Sequence, residues 1–404
     1  MNRSSVTLLL LLLISTLVLV ACGGQATPET ITVEVTREVE VEVVKEVEVV
    51  KEVEVTRVVE VEVEAAAPEE SEAPAQEPRE LLVLAGAGQD TVAINAYFPA
   101  SLRVRAGDTV TWQINSNEPH FATFLAGEPP PPDPVPIPGG GPTDIMLSPK
   151  ASFPSKAPDD PIETYDGAEF RNSGFLSDGT VVPPGGPFSL KFDTPGTYQY
   201  ICLIHPTTMV GEIIVEEANA TDMPEQDEID AMAEAEMTPL LEQAEEIRAA
   251  AASSDMVRSV PGPNGTTTWH IPAGVTGADP RIEIYDYFPK NLSIKQGDQV
   301  IWTSTFFHQV IFPAGQPDPP FVVPTEVEGQ PFPNLVVSPE VAFPVIPAGE
   351  FDGAELFSSG LIGTLGPLPG GTTFAMTFSE PGTFDYVCST HLPLGMEGTV
   401  TVTE

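Results

Sequence analysis

With 404 residues the chain exceeds one ordinary domain, and 44 prolines with 33 glycines argue for loop-rich β structure over helix. A formal charge of -42 argues against nucleic acid or an anionic membrane surface as partner and permits a basic protein. Three cysteines are too few for a disulfide framework. The charge is unevenly placed: 17 of the 59 acids lie between Glu29 and Glu80, and 13 between Glu216 and Asp255.

Asn2 and Arg3 precede an apolar run from Val6 to Val20, the pattern of a secretory signal over residues 1–21. Its ending, Leu19-Val20-Ala21-Cys22, resembles the bacterial lipoprotein lipobox, which implies cleavage before Cys22 and lipidation of that thiol. An uncleaved anchor is the alternative, disfavoured because the run is short for a spanning helix. Either way the mature chain is expected outside the cytoplasm, tethered to a bacterial cell membrane by its N-terminus. Residues 22–80 form a low-complexity stalk and linker. The Val/Glu string from Ile31 to Glu64 reads as a charged spacer and carries no chemistry.

A first domain is expected over residues 81–217. Period-2 alternation puts Val110, Trp112 and Ile114 on one face of a strand, and Gly107-Asp108 marks the turn before it. His120 follows in a loop. The segment from Pro129 to Pro187 is a long insertion rich in proline and glycine, and strands then resume at Phe188 and Thr197. Residues 218–256 switch to Ala, Glu, Met and Leu, which predicts an acidic helical linker starting at Thr238-Pro239.

A second domain over residues 257–404 repeats the first. Ile284-Tyr285-Asp286-Tyr287-Phe288-Pro289 echoes Ile94 to Pro99, Gln296 to Trp302 echoes Ala106 to Trp112, and His308 stands where His120 stands. Both copies carry the insertion, with 82 residues from His120 to Cys202 and 80 from His308 to Cys388.

Each repeat ends in a cluster of chemistry-bearing residues: Cys202, His205 and Met209 in the first, Cys388, His391 and Met396 in the second. A thiolate, a neutral imidazole and a thioether suit copper better than other common metals. Zinc is the weaker reading because methionine is a poor zinc ligand. A Cys202–Cys388 disulfide is disfavoured because the two hold equivalent inner positions in separate domains. Four of the five histidines fall in these clusters or at the early loop position, and the fifth, His270, reads as an ordinary residue.

The motif Gly-Asp-x-Val-x-Trp, then histidine, then Pro-Gly-Thr-aromatic-x-Tyr-hydrophobic-Cys-x-x-His with a nearby methionine resembles the cupredoxins, the small blue copper proteins. The resemblance implies an all-β chain of two tandem Greek-key β-sandwiches joined by a short helical linker. It implies one copper held by His120, Cys202, His205 and Met209, and a second held by His308, Cys388, His391 and Met396. It further implies a single-electron carrier between redox proteins, such as a cytochrome or a membrane respiratory complex, with no small-molecule substrate. Electrons are expected to enter and leave through His205 and His391. Each would lie near the surface within an apolar patch, Leu203, Ile204 and Pro206 in one domain and Leu392, Pro393 and Leu394 in the other. An enzyme of the nitrite reductase or multicopper oxidase type needs further histidines beside the cysteine or as His-x-His, and the chain has neither. A copper-binding or storage protein is the third reading. Two departures stand out. His205 and Met209 are four positions apart against five for His391 and Met396, and the first histidine is followed by Phe121 in one copy and Gln309 in the other.

Overall fold

The computed structural model describes residues 76–404 except 158–159, 254–256, 347–350 and 364–370. The signal segment, Cys22 and nearly all of the stalk therefore lie outside the described residues. All described residues fall within one compact unit, Glu70–Glu404.

Each repeat folds as a sandwich of two sheets. In the first, Glu80–Ala87 runs between Val92–Phe98, antiparallel, and Thr109–Ile114, parallel, with Phe188–Lys191 and Glu163–Thr164 beyond. The facing sheet orders Ser101–Arg105, Val210–Glu216, Gly196–Ile201, Thr123–Phe124 and Arg171–Asn172. The second repeat uses Thr267–Thr276, Ile282–Tyr287, Gln299–Thr303 and Thr373–Thr377 in one sheet. Asn291–Lys295, Glu397–Thr403, Gly382–Val387, Ile311–Phe312 and Phe357–Ser358 form the other. The alternation seen in sequence holds: Val110 and Trp112 are fully buried, and Ile114 is half-buried at the strand end.

Aromatic side chains fill both sandwiches in the same way. Trp112 packs edge-on against Tyr200 at 5.1 Å between centroids and Phe124 at 5.5 Å, and Trp302 meets Tyr386 at 5.5 Å and Phe312 at 5.9 Å. Burial of one such ring contributes on the order of 5 kcal/mol before the entropy of ordering is subtracted. The buried aspartate of each Gly-Asp turn closes the loop with hydrogen bonds. Asp108 accepts from the backbone N–H of Arg79 and Arg105, and Asp298 from those of Thr267 and Lys295.

The two sandwiches share one sheet. Ile282–Tyr287 pairs antiparallel with Val92–Phe98, in the register Ile282 to Ile94, Glu283 to Ala93 and Ile284 to Val92. The N–H of Asn95 donates to Arg281 O and that of Tyr285 to Thr91 O, both at 2.7 Å. Two strands that would be open edges thus satisfy each other, and a ten-stranded sheet runs through both repeats. Ala93 and Glu283 occupy equivalent positions in the repeats and also pair with each other. The local two-fold axis relating the domains passes between them.

The helix of the acidic segment begins earlier than its sequence signals indicate, spanning Gln226–Ala251 with Pro239 inside it. A helix start at Thr238-Pro239 is therefore wrong. The first turn is fixed upstream, where the Glu228 carboxylate accepts the Glu225 N–H at 3.0 Å and Gln226 Oε1 accepts the Leu82 N–H at 2.9 Å. Tertiary packing outweighs the hydrogen bond lost at proline. Ala233, Leu240 and Ala244 bury against Ile94, Ala96, Ile282 and Ile284. The helix thus covers the outer face of the shared sheet, while Ala93, Asn95, Glu283 and Tyr285 point to the inner face.

The insertions also pair with each other. Val135–Pro136, Ile145–Met146, Asn334–Val337 and Val322–Thr325 make a four-stranded sheet joining the domains, and Phe153 stacks on Phe332 at 4.4 Å.

Candidate metal centres

Strand Gly196–Ile201 delivers Cys202 to one end of the first sandwich, and the loop back to Val210 carries His205 and Met209. The loop is pinned at its base: the Cys202 N–H donates to Met209 O at 3.0 Å and the Met209 N–H to His205 O at 2.9 Å. His120 arrives from the opposite side, where its backbone forms an antiparallel bridge with Leu176 in the insertion. Cys202 Sγ lies 3.8 Å from His120 Nδ1 and 3.7 Å from His205 Nδ1. The second repeat matches. Cys388 Sγ is 3.8 Å from His308 Nδ1 and 3.4 Å from His391 Nδ1, and the two Nδ1 atoms are 3.0 Å apart. Met209 and Met396 are fully buried in the same core clusters as Cys202 and Cys388.

The electrostatics of both clusters suit a cation. Burial pushes His120 and His308 down to about 3, so both rings are neutral at neutral pH and each keeps a nitrogen lone pair for a metal. Burial also drives His205 and His391 well below the ordinary range, and neighbouring histidines add to this. Burial raises the Cys202 thiol to about 11, opposed by the backbone N–H groups of His205, Phe121 and Ile204 aimed at the sulfur. Cys388 is raised to about 12 against the N–H groups of Gln309, His391 and Thr390. Neutral imidazoles and a buried thiol, whose proton a bound metal ion would displace, form a donor set that a soft metal ion completes.

The residue after the first histidine is braced from beneath, since Tyr97 Oη donates to Phe121 O and Tyr287 Oη to Gln309 O. Side chains at this position then diverge. Gln309 Oε1 accepts the Thr390 N–H at 3.2 Å and its Nε2 donates to Thr390 Oγ1 at 3.1 Å, tying down the second cysteine loop. Phe121 instead packs on Phe175 of the insertion at 4.7 Å, and its side chain offers the first cysteine loop no hydrogen bond of this kind.

The expected surface position of the cysteine-loop histidines is not what the fold provides. His205 is 5 % exposed and His391 is 0 % exposed. Pairing of the domains turns both loops inward, and each imidazole is capped by the other domain. His205 Nε2 faces Glu283 Oε2 at 4.0 Å, and His391 Nε2 faces Glu118 Oε2 at 3.9 Å. Leu394 is likewise core, packed with Met396 and Tyr386, and belongs to no docking patch. In the first domain Leu203, Ile204 and Pro206 do line a cleft that opens beside His205.

Several residues at these centres escaped sequence reasoning. Gly86 and Gly274 lie at bulges in equivalent strands, with positive φ, directly under the Nε2 atoms of His120 and His308. Their signal was a lone glycine at matching points of two strand runs. Glu118, Glu283, Tyr285 and Phe306 occupy the space between the centres. Burial pushes Glu283 up to about 7 against hydrogen bonds from Tyr285 and Asn95, and Glu118 is driven well above the usual carboxylate range by burial and then by Glu283. Their signal was asymmetry, because each stands where the other repeat has a different residue type. His270 sits on Thr267–Thr276, with its backbone paired to Arg258 and Ile301, away from both clusters.

Comparison with known proteins places these centres in context. A sequence profile for copper binding proteins of the plastocyanin/azurin family matches residues 87–216 and 360–403. The second match covers Cys388, His391 and Met396 but not His308. Chloroplastic plastocyanin of Tetradesmus obliquus is 28 % identical over 130 residues, covering 32 % of this chain and 63 % of that protein. The chain thus spans under two thirds of that relative. Plastocyanin of Scenedesmus fuscus is 29 % identical over 130 residues, covering 32 % of this chain and 94 % of that protein. Among solved structures, an oxidised amicyanin variant shows 22 % identity and a TM-score of 0.19, covering 34 % of this chain and 81 % of its own. A fern plastocyanin variant shows 22 % identity and a TM-score of 0.19, covering 33 % and 99 %.

Proposed function

We propose that this chain, which belongs to the cupredoxin family of copper-binding proteins, carries single electrons between redox proteins outside the cytoplasm. It holds two coppers. The first is liganded by His120, Cys202, His205 and Met209, and the second by His308, Cys388, His391 and Met396. Copper in such a site supplies one reversible electron. The protein's share is to hold the donor atoms in one arrangement for both valences and to exclude water, which keeps rearrangement during transfer small.

The observation that carries this reading is the closed, buried character of each cluster. Thiol and imidazole atoms converge within 4.8 Å, the loops are pinned by backbone hydrogen bonds, and the ligating residues are at most 5 % exposed. A substrate would need an open coordination position. A copper oxidoreductase would also need further histidines, and the sequence has only His270 to spare. The acidic surface favours a basic redox protein as partner. Lipidation at Cys22 would keep the carrier at the membrane, with the Val/Glu stalk as spacer.

The test is copper loading of the purified chain with metal analysis, absorption spectroscopy and voltammetry. The expected result is two coppers per chain, an intense thiolate-to-copper(II) band and reversible one-electron reduction. Cys202→Ser and Cys388→Ser should each remove one copper. A copper-loaded chain without the band would mark a binding or storage protein, and three or more coppers per chain would refute the carrier.

A further inference from the structure

The two centres face each other over the inner face of the shared sheet, and a ladder of aromatic rings fills the space between them. His205 stacks on Phe306 with centroids 5.4 Å apart and planes 19° from parallel. Phe306 continues to Tyr285 at 6.5 Å and 12°, and Tyr285 stacks on His391 at 4.2 Å and 16°. Four near-parallel rings thus lead from the cysteine-loop histidine of one domain to that of the other. The ladder crosses between domains at the His205–Phe306 step.

A second strand of contacts runs beside the rings. Tyr285 Oη donates to Glu283 Oε2 at 3.1 Å, Asn95 Nδ2 donates to the same oxygen at 3.1 Å, and that oxygen lies 4.0 Å from His205 Nε2. Glu283 and Tyr285 reach this space because they sit on the inward face of the pairing strand, at and beside the local two-fold axis. Tyr285 and His391 are fully buried, so that half of the path is close-packed, while Phe306 is half-buried and lines the cleft beside His205. Contacts of this kind favour electron tunnelling, since gaps between atoms weaken electronic coupling far more than packed or bonded matter does.

The ends of the ladder differ in access. His205 borders the cleft lined by Leu203, Ile204 and Pro206. His391 is fully buried, with Glu118, Tyr285 and Phe307 around its ring.

Resting on the electron-carrier reading above, we propose that the two centres form an internal relay. One electron crosses the domain boundary along His205, Phe306, Tyr285 and His391, so an outside partner needs to reach only the first centre. In each crossing one centre is oxidised by one electron and the other is reduced by one. No proton or atom is transferred.

The test uses the copper-loaded chain and a photogenerated flavin semiquinone in excess, following loss of the thiolate-to-copper(II) band. With the relay, the parent loses the whole band amplitude at the rate of its first centre. Cys202→Ser, which retains only the second centre, is reduced at least about tenfold more slowly, because His391 has no outside face. Tyr285→Leu in the otherwise intact protein splits the parent decay, half the amplitude falling to the Cys202→Ser rate. Tyr285→Phe keeps the ring and restores the single fast decay. Copper content and band position should be unchanged in both Tyr285 variants, which separates loss of the path from damage to the centres. The relay is overturned if Cys202→Ser is reduced as fast as the parent, or if the parent decay is itself split with a slow half at the Cys202→Ser rate. A Tyr285→Phe decay as slow as that of Tyr285→Leu would overturn the ring route. A parent with no band or no reversible reduction would instead defeat the carrier reading, so the two failures are distinguishable.

Discussion

Gly86→Ala is the sharpest probe of how the fold holds the first centre. Gly86 has φ +73, and a Cβ added there would lie 2.3 Å from His120 Nε2 and 2.4 Å from Ser116 Oγ. Left-handed backbone costs a non-glycine residue about 1–2 kcal/mol. Relief of the clash requires His120 to shift within a packed core, which costs about 1–3 kcal/mol more. Gly139→Ala separates the two contributions, because Gly139 has φ +80 with nothing within 4 Å of an added Cβ. It should lose only the backbone share, about 1–2 kcal/mol. The assay is urea unfolding of the metal-free chain, comparing midpoints at constant slope, followed by the absorption spectrum of the copper-loaded variants. Gly86→Ala should unfold at lower urea than Gly139→Ala and show a displaced or weakened thiolate-to-copper(II) band. Equal midpoints with an unmoved band would show that the backbone under His120 does not fix the ring, and the positioning argument would fail.

Two further expectations concern the insertion and the core. Burial pushes Asp133 up to about 6, against a 2.7 Å hydrogen bond from the Ser148 N–H. The folded chain therefore binds this proton more tightly than the unfolded chain does. Its contribution to stability is full below the unfolded value and falls as pH rises from about 4 to 6, by at most about 3 kcal/mol. Asp133→Asn should flatten that slope in unfolding midpoints taken across the range, and an unchanged slope would refute the assignment. Leu394→Glu should cost about 3 kcal/mol or more, because it buries a carboxylate among Met396 and Tyr386. A guanidinium midpoint equal to the parent's would place Leu394 on the surface after all.

Much of the fold and the composition of both centres were legible in the sequence because they rest on local chemistry. Alternation marked the strand of Val110 and Trp112, and spacing brought Cys202, His205 and Met209 onto one loop. The repeat then supplied His120 and His308 as matching positions. What could not be read is what each domain does to the other. The pattern Ile282-Glu283-Ile284-Tyr285 announces a strand with two faces but not its neighbour, which proves to be Val92–Phe98. That one pairing buries His205 and His391, and so reverses the expectation of two exposed electron ports. The early start of Gln226–Ala251 has the same origin. Its packing face is defined by the shared sheet, and the Thr238-Pro239 signal is overridden by contacts on either side of it.

The local two-fold axis makes the tandem arrangement chemically consequential. In a pair of identical domains, whatever residue stands at the axis would meet its own copy directly across the strands. Two glutamates there would place like charges about 5 Å apart between Cβ atoms in a buried site, a destabilising arrangement. In the single chain the axis carries Ala93 on one strand and Glu283 on the other, 1 % and 6 % exposed. The same asymmetry sets Asn95 against Tyr285 and Glu118 against Phe306. Asn95 and Tyr285 both donate to the one axial carboxylate, while Phe306 supplies a ring where the other repeat has the Glu118 carboxyl. A symmetric pair would duplicate each of these groups and could not fit them into one space. Only because the repeats have diverged at these positions does a single carboxylate and a single ring ladder occupy the boundary, and this gives the two centres different surroundings despite nearly identical ligand sets.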